Sequence, residues 1–337
     1  MPKLCVIPGD GIGREVIPPA VEVLKAVFPD LETIQVPAGW DCFLERGISV
    51  PEETLAAVRA CGAALFGAVS SPSRKVEGYR SAILVLRQSL DLYASIRPVR
   101  SLPCVSPKPG VNLVIVRENT EGLYAGRERR EGDTAIAERV ITRRASQRIA
   151  LRALVLLRSE GRRRLTIVHK ANILPVTDGL FRDTVRETLE GQRQAGEEWT
   201  VDELLVDTAA MKIVSEPERL DALVTTNLFG DILSDAAAPW GGGMGLAPSL
   251  NWGDELALAE PVHGSAPDIA GQGIANPIGA VLSAAMLARL SWSLPEAADR
   301  IEAAVSAVLE TGLVLPGGRL ADGVTTEALT KAVLERL

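Results

Sequence analysis

Histidine occurs twice in the 337 residues and cysteine four times. The cysteines, Cys5, Cys42, Cys61 and Cys104, form no C-x-x-C pair, and His169 and His263 stand far apart. This spacing argues against a cysteine- or histidine-based zinc site, and scattered free thiols suit a reducing cytoplasm. Aromatic residues make up 4% of the chain and do not interleave with the basic ones. Together with a net charge of −7, that disfavours nucleic acid as a partner. No apolar run reaches membrane-spanning length. The first eight residues read as a strand entering a turn, not as a signal peptide. Lysine is scarce, seven against 29 arginines, so a lysine inside a motif carries weight. The arginines cluster at Arg127–Arg130, Arg139–Arg148 and Arg162–Arg164. Glutamates and apolar residues interleave them, the pattern of a solvated helix face.

The chain does have a large apolar fraction, 47%, enough for two lobes. Apolar strands alternate with amphipathic helices, which indicates an α/β fold. Leu4–Ile7 reads as a strand and Arg14–Val27 as a helix. The glycine-rich turn Pro8–Gly13 between them lacks the third glycine of a dinucleotide fingerprint. Further helices are expected over 51–61, 81–90, 145–160 and 178–190, and two more, about 280–290 and 296–310, close the chain. Strands are expected over 63–69, 92–96, 111–116, 165–168 and 204–206. The strand 92–96 should end at Arg97-Pro98. The proline- and serine-rich segment 99–110 marks a lobe crossing.

The stretch Asn227-Leu228-Phe229-Gly230-Asp231-Ile232-Leu233-Ser234-Asp235 follows the apolar run 222–226. Asp231 and Asp235 are four apart, so on a helix they stack one turn above the other. A helix N-terminus favours one carboxylate there but does not ask for a second a turn later. A hard divalent cation does, because Mg²⁺ and Mn²⁺ take carboxylate oxygens.

Other polar residues fall where apolar strands end: Arg97, Arg117, Lys170 and Asp207. In open α/β sheets ligands bind at that edge. Arg87, Arg97 and Arg117 suit a substrate with several carboxylates, which guanidinium forks pair bidentately; singly, each also reads as a surface ion pair. Lys170 is either a general base with a lowered pKa or a lysine reaching out to solvent. Tyr124 is either a general acid or a core tyrosine. His263 lies in a Gly-Ser-Ala-Pro loop suited to a flat ring or a phosphate, and His169 reads as structural.

Four motifs, Val116–Tyr124, His169–Asn172, Thr226–Asp235 and His263–Asp268, give the chain a resemblance to the β-decarboxylating dehydrogenases, the isocitrate, homoisocitrate and 3-isopropylmalate dehydrogenases. The similarity runs over essentially the whole chain. It implies that family's own two-lobe α/β fold, not a Rossmann domain. A large cofactor-binding lobe would span 1–98 and 255–337. A smaller lobe, 99–254, would hold the dimer interface and the metal and substrate residues. The resemblance further implies a homodimer, or a tetramer of such dimers, with shared sites. Lys170 and Asp207 of one subunit would reach the Asp231 and Asp235 of the other.

In the implied chemistry Asp207, Asp231 and Asp235 hold Mg²⁺ or Mn²⁺, Lys170 takes the substrate hydroxyl proton as hydride leaves, and Tyr124 protonates the enol. Arg87, Arg97 and Arg117 clamp the malate carboxylates, with Ser81, Leu84 and Asn172 completing the substrate set. The cofactor would lie on Ile12, Ser70, Asn172, His263, Gly264, Ser265, Ala266, Asp268, Ile269 and Asn276. Asp268-Ile269 stands where NAD-dependent members carry an acidic residue for the ribose diol; a carboxylate there would repel a 2′-phosphate. Glu118-Asn119-Thr120-Glu121 and His169-Lys170 resemble the isocitrate and homoisocitrate branch, for which the substrate is a 2-hydroxy tricarboxylate. Arg97-Pro98, Leu174-Pro175 and Ala275-Asn276-Pro277 look most like homoisocitrate dehydrogenase, of lysine biosynthesis through 2-aminoadipate. Ile83 and Leu84 depart from both members of that branch and leave isopropylmalate open, while Ser81 and Arg80 stand as partners for a distal carboxylate. A non-catalytic regulatory paralogue is the competing class, and it would have no need of Tyr124, Lys170, Asp207, Asp231 and Asp235 together.

Overall fold

The computed structural model describes residues 2–74 and 76–337. The chain divides into two compact units. One takes the chain up to Leu92, Ser101–Pro109 and Ala238–Leu337; the other takes Tyr93–Arg100 and Gly110–Ala237. The chain therefore crosses at 92/93, 100/101, 109/110 and 237/238, where the sequence reading placed single crossings at 98/99 and 254/255. Strand pairing accounts for this. Ala94–Arg100 runs antiparallel to Asn112–Glu118 along its full length, and Pro248–Trp252 pairs with Ala257–Pro261.

In the first unit the strands lie in the order Glu32–Gln35, Lys3–Gly9, Ala63–Ala68, Ala257–Pro261, Pro248–Trp252. All pairings are parallel except the last. Every residue of Ala63–Ala68 is buried, as an apolar run flanked on both faces should be. Ile7, Val58, Phe66, Leu86 and Leu258 join one core. The helix Ile278–Met286 is buried on all sides and continues into a π turn, Leu287–Ser291. A third terminal helix, Thr326–Leu334, follows the two expected ones. The Thr325 hydroxyl caps it by accepting the Ala328 N–H at 3.1 Å. All four cysteines are free, and burial pushes the Cys5 thiol up to about 12.

The turn Pro8–Gly13 is a steric device. A Cβ on Gly67 would lie 2.1 Å from the Pro8 carbonyl oxygen, and one on Gly13 would lie 2.2 Å from it. Bare backbone on both sides lets the turn sit on the end of the neighbouring strand. Asp10, 2% exposed, then accepts the backbone N–H groups of Trp40, Asp41 and Ser70 at 2.7, 3.1 and 2.8 Å.

In the second unit the order is Ala94–Arg100, Asn112–Glu118, Ala222–Thr225, Arg164–His169, Thr200–Leu205, parallel after the first pairing. Arg97 and Pro98 lie inside their strand, not at its end. Proline's fixed φ and the extended geometry it imposes on the residue before it are both compatible with a strand. The helix Asn227–Ala237 follows Ala222–Thr225 almost at once. Two of the arginine clusters are not solvated helix faces. Arg127–Arg130 borders an exposed hairpin of Glu128–Glu131 and Thr134–Ala137. The Arg162 side chain is 5% exposed and meets Glu160 at 2.7 Å and Asp221 at 2.9 Å. In the third, Arg148 lies 4.2 Å over the Tyr93 ring. Among the described residues no helix is long and apolar enough to cross a membrane.

Because a Gly67 side chain would meet backbone rather than a movable side-chain end, Gly67→Ala should cost about 1–3 kcal/mol or more. Gly191→Ala, at a helix end with nothing within 4 Å, should be neutral or slightly stabilising. Urea midpoints at fixed protein concentration check both, with an unchanged slope required.

Candidate active site

The site is built from Arg117 outward. The strand Asn112–Glu118 delivers its guanidinium into the core at 1% exposure. A buried charge needs partners. Nε and Nη2 donate to the Asn227 Oδ1 at 3.0 and 2.7 Å, and Nη1 is bonded to Asp231. The helix can come this close because residue 230 is glycine: a Cβ there would lie 2.6 Å from the Arg117 Cβ. From the adjoining strand Arg97 donates to the Ser234 Oγ at 2.8 Å and the Asp235 carboxylate at 3.2 Å, with Asp231 at 3.5 Å.

Tyr124 arrives from the turn after Asn112–Glu118. The buried Glu118 fixes that turn by accepting the Thr120 N–H at 2.8 Å, the Thr120 hydroxyl at 2.5 Å and the Glu121 N–H at 3.0 Å. The Tyr124 hydroxyl donates to Asp231 at 2.6 Å. Burial, then the Asp231 carboxylate, raise its pKa above the ordinary phenol value, so it carries its proton at neutral pH. Burial also raises the Asp235 carboxyl; Arg97 opposes this and the Asp231 charge adds to it. Five of the expected residues, Arg97, Arg117, Tyr124, Asp231 and Asp235, are thus brought together.

Lys170 and Asp207 form a second set. Lys170 directly follows the strand Arg164–His169, and Asp207 sits in the first turn of the helix Val206–Ser215. The Lys170 ammonium donates to Asp207 at 2.6 Å, so its nearest charge is a carboxylate rather than the arginines expected. That ion pair holds the Asp207 pKa below the usual carboxylate value. His169 is buried, accepts the Ala171 N–H at 3.1 Å and lies 3.4 Å from Glu203, a structural role. Asn172 is exposed on the same turn. Among the described residues, no three carboxylate, histidine or cysteine side chains gather where a metal ion could be held. One chain therefore does not assemble Asp207, Asp231 and Asp235 into one cluster.

In the first unit Arg87 is buried, donating to Asn251 at 3.0 Å and Glu260 at 2.9 Å, with Asn251 bridging to Glu260 at 2.8 Å. Arg80 is engaged too, by Gln88 at 2.5 Å. Ser81 precedes the helix Ala82–Ser89, on which Ile83 and Leu84 are partly exposed.

The expected cofactor residues Ile12, Ser70 and Ser265 meet: the Ile12 N–H donates to the Ser265 carbonyl at 2.9 Å, and the Ser70 and Ser265 hydroxyls are 2.8 Å apart. His263 bonds the Gly264 carbonyl at 3.0 Å, and burial lowers its pKa. Ala266 has a positive φ of 36°. The Ala266 carbonyl accepts the Ile269 N–H at 3.2 Å, turning the chain so that Gly264 and Asp268 stand exposed. Asn276 is turned to its own backbone, donating to Gly318 and accepting from Ile278 at 2.8 and 2.9 Å.

Comparison with known proteins decides the relationship. The family description isocitrate/isopropylmalate dehydrogenase matches residues 3–333. The chain belongs to that family. An isocitrate/homoisocitrate dehydrogenase of Thermus thermophilus is 54% identical over 335 residues, 99% of this chain and 98% of the relative. A 3-isopropylmalate dehydrogenase of Methanothermobacter thermautotrophicus is 46% identical over 321 residues, 94% of each. The crystal structure of isocitrate dehydrogenase from Methylococcus capsulatus superposes with a TM-score of 0.92 at 41% identity, covering 100% of this chain and 99% of that one. The fold is accordingly that of the isocitrate/isopropylmalate dehydrogenases, and the chain is an enzyme of this oxidative decarboxylating family.

Sequence reasoning missed the residues that hold these side chains and the backbone around them in place: Asp10, Glu118, Asn227, Asn251 and Glu260. A carboxylate inside a glycine turn or an apolar strand was the available signal for Asp10 and Glu260. Removing one partner of a buried ion pair strands the other. Glu260→Ala should therefore destabilise the protein by about 3–5 kcal/mol, whereas Arg80→Ala, on an exposed side chain, should stay within about 0.5 kcal/mol. Denaturant titration of both variants checks the contrast.

Proposed function

We propose that the protein is an NAD-dependent, metal-requiring dehydrogenase that oxidatively decarboxylates homoisocitrate to 2-oxoadipate and CO₂, in lysine biosynthesis through 2-aminoadipate, and also turns over isocitrate. The observation that carries the proposal is the array of Arg97, Arg117, Asp231, Asp235 and Tyr124. It sets two guanidinium forks, two stacked carboxylates and a protonated phenol around one place. A 2-hydroxy acid with several carboxylates uses all of them.

The donor set fits a hard divalent ion: Asp231 and Asp235 are partly exposed, at 31% and 50% of their side chains, and their like charges are offset by arginines. Asp207, Asp231 and Asp235 would hold Mg²⁺ or Mn²⁺, which when bound supplies Lewis-acid polarisation of the substrate's hydroxyl and carbonyl oxygen. Arg97 and Arg117 bind carboxylates by charge-assisted bonds. Lys170, once it has lost its own proton, would accept the hydroxyl proton, NAD when bound would supply the hydride acceptor, and Tyr124, kept protonated, would return a proton to carbon after CO₂ leaves. The NAD preference rests on the exposed Asp268 carboxylate.

The division of the site residues into two sets within one chain supports a homodimer with shared sites. So does the exposed apolar surface on the same unit. Ile173, Val176, Met211, Val214 and Ile232 are all exposed, Val176 to 82%, and a second copy would cover them. For specificity, Arg80 is occupied by Gln88, which leaves Ser81 or a partner-subunit residue for the distal carboxylate. Ile83 and Leu84 offer an apolar wall for the extra methylene of homoisocitrate, worth about 1–3 kcal/mol.

NADH absorbance should rise with homoisocitrate and isocitrate and least with 3-isopropylmalate. It should stop in EDTA and return with Mg²⁺ or Mn²⁺. Full turnover in excess chelator would sink the metal assignment; fastest turnover of isopropylmalate would sink the substrate assignment. Mixed dimers of inactive Lys170→Ala and inactive Asp231→Asn chains should regain activity at one site of two, and verified heterodimers without activity would refute shared sites.

A further inference from the structure

Arg139 and Asp178 play no part in the chemistry above, yet they form an enclosed ion pair in the second unit. Asp178 is 0% exposed, in the first turn of the helix Thr177–Gly191. Its Oδ2 accepts the backbone N–H of Lys170 at 2.6 Å. Its Oδ1 lies 2.7 Å from the Arg139 Nη2. That contact is an ion pair off the hydrogen-bond direction, since this oxygen accepts no hydrogen bond; the same nitrogen donates to the Thr226 hydroxyl at 2.9 Å. The Arg139 guanidinium also lies 4.5 Å from the centre of the Phe229 ring. Its side chain is 14% exposed, and burial lowers its pKa against the pull of Asp178.

The chain of contacts is continuous. It starts at the Lys170 amide, passes through Asp178 and Arg139, and ends on Thr226 and Phe229 at the start of the helix that carries Asp231 and Asp235. We propose that Arg139 and Asp178 are positioning residues, a buried strut that ties the Lys170 turn to the start of the Asp231 helix and so sets where the lysine ammonium stands. The idea rests on the function proposed above. If sites are shared, one protomer's Lys170 serves one site and its Asp231 the other, so the strut joins the two sites of the dimer.

A buried pair that only stabilised the fold would be lost with stability and nothing else. The strut predicts more. Arg139→Gln removes the charge, and Thr226→Val keeps the ion pair and the Phe229 contact but removes the hydrogen bond to Thr226. In hydrogen-exchange mass spectrometry, Arg139→Gln should speed exchange in two separated segments, 169–178 and 226–231, while the first unit is unchanged. Thr226→Val should do the same more weakly. In steady-state kinetics of the homodimer, Arg139→Gln should lower kcat roughly 10- to 100-fold, the scale of a slightly misplaced catalytic group. KM should stay within about twofold, and the isotope effect with substrate deuterated at C2 should increase. Arg139→Lys should recover part of kcat.

Unchanged exchange at either segment in folded Arg139→Gln dimers would overturn the strut. So would folded variants with kcat within about twofold of wild type. A wild type that turns over none of the three substrates would defeat the functional reading instead, and the exchange experiment would still decide whether the strut exists.

Discussion

The second unit depends on how the charge of Arg117 is accommodated. Its guanidinium is 1% exposed, and a charge so far from water is tolerable only with paired, hydrogen-bonded partners. Asn227 and Asp231 supply them from one helix, a turn apart. The helix start, the glycine at 230 and the strand register then follow from one requirement: Asn227, Gly230 and Asp231 must all face Arg117. Glu118, the next residue, faces a related problem. Burial pushes its carboxyl up, while the Thr120 hydroxyl and the N–H groups of Glu121 and Thr120 pull it down. Those bonds close the turn that delivers Tyr124. Two adjacent buried ionisable groups thus organise the stacked carboxylates on one side and the phenol on the other.

The same pattern recurs in the first unit with different chemistry. Arg87 is satisfied by Glu260 and Asn251, and Asp10 by three backbone N–H groups. In each case a side chain that looked like a ligand-binding group, or like nothing in particular, is first a means of fixing backbone segments distant in sequence. Arg117 and Asp231, for instance, are more than a hundred residues apart. A charge that must be paired is a stringent distance restraint, and these restraints hold the residues of the candidate site to within hydrogen-bonding tolerance.

Much of this was legible in the chain. The strands over 63–69 and 165–168 were visible because both faces are covered, which leaves an unbroken apolar run. The stacked carboxylates at 231 and 235 were visible because a helix converts a spacing of four into a shared face. The strand through Arg97-Pro98 was misread as ending there, since a proline is a stop signal only when a ladder needs its N–H. The helix Thr326–Leu334 was passed over because nine residues hold barely two turns of periodicity. Arg127–Arg130 are solvated as read, though on a hairpin; Arg139, Arg148 and Arg162 were misread because local composition does not reveal a partner elsewhere: Asp178 for Arg139, Tyr93 for Arg148, Asp221 for Arg162.

The sequence by itself determined the α/β class and the family, because these depend on local periodicity and on motifs contiguous in the chain. Tertiary structure alone decided which of those side chains meet. It put Tyr124 on Asp231, Lys170 on Asp207 and Arg87 on Glu260, and it kept Asp207 out of any three-ligand cluster within one chain. Pairings of that kind are set by where strands and helices cross in space, and by the cost of leaving a buried charge without a partner, neither of which is a property of neighbouring residues.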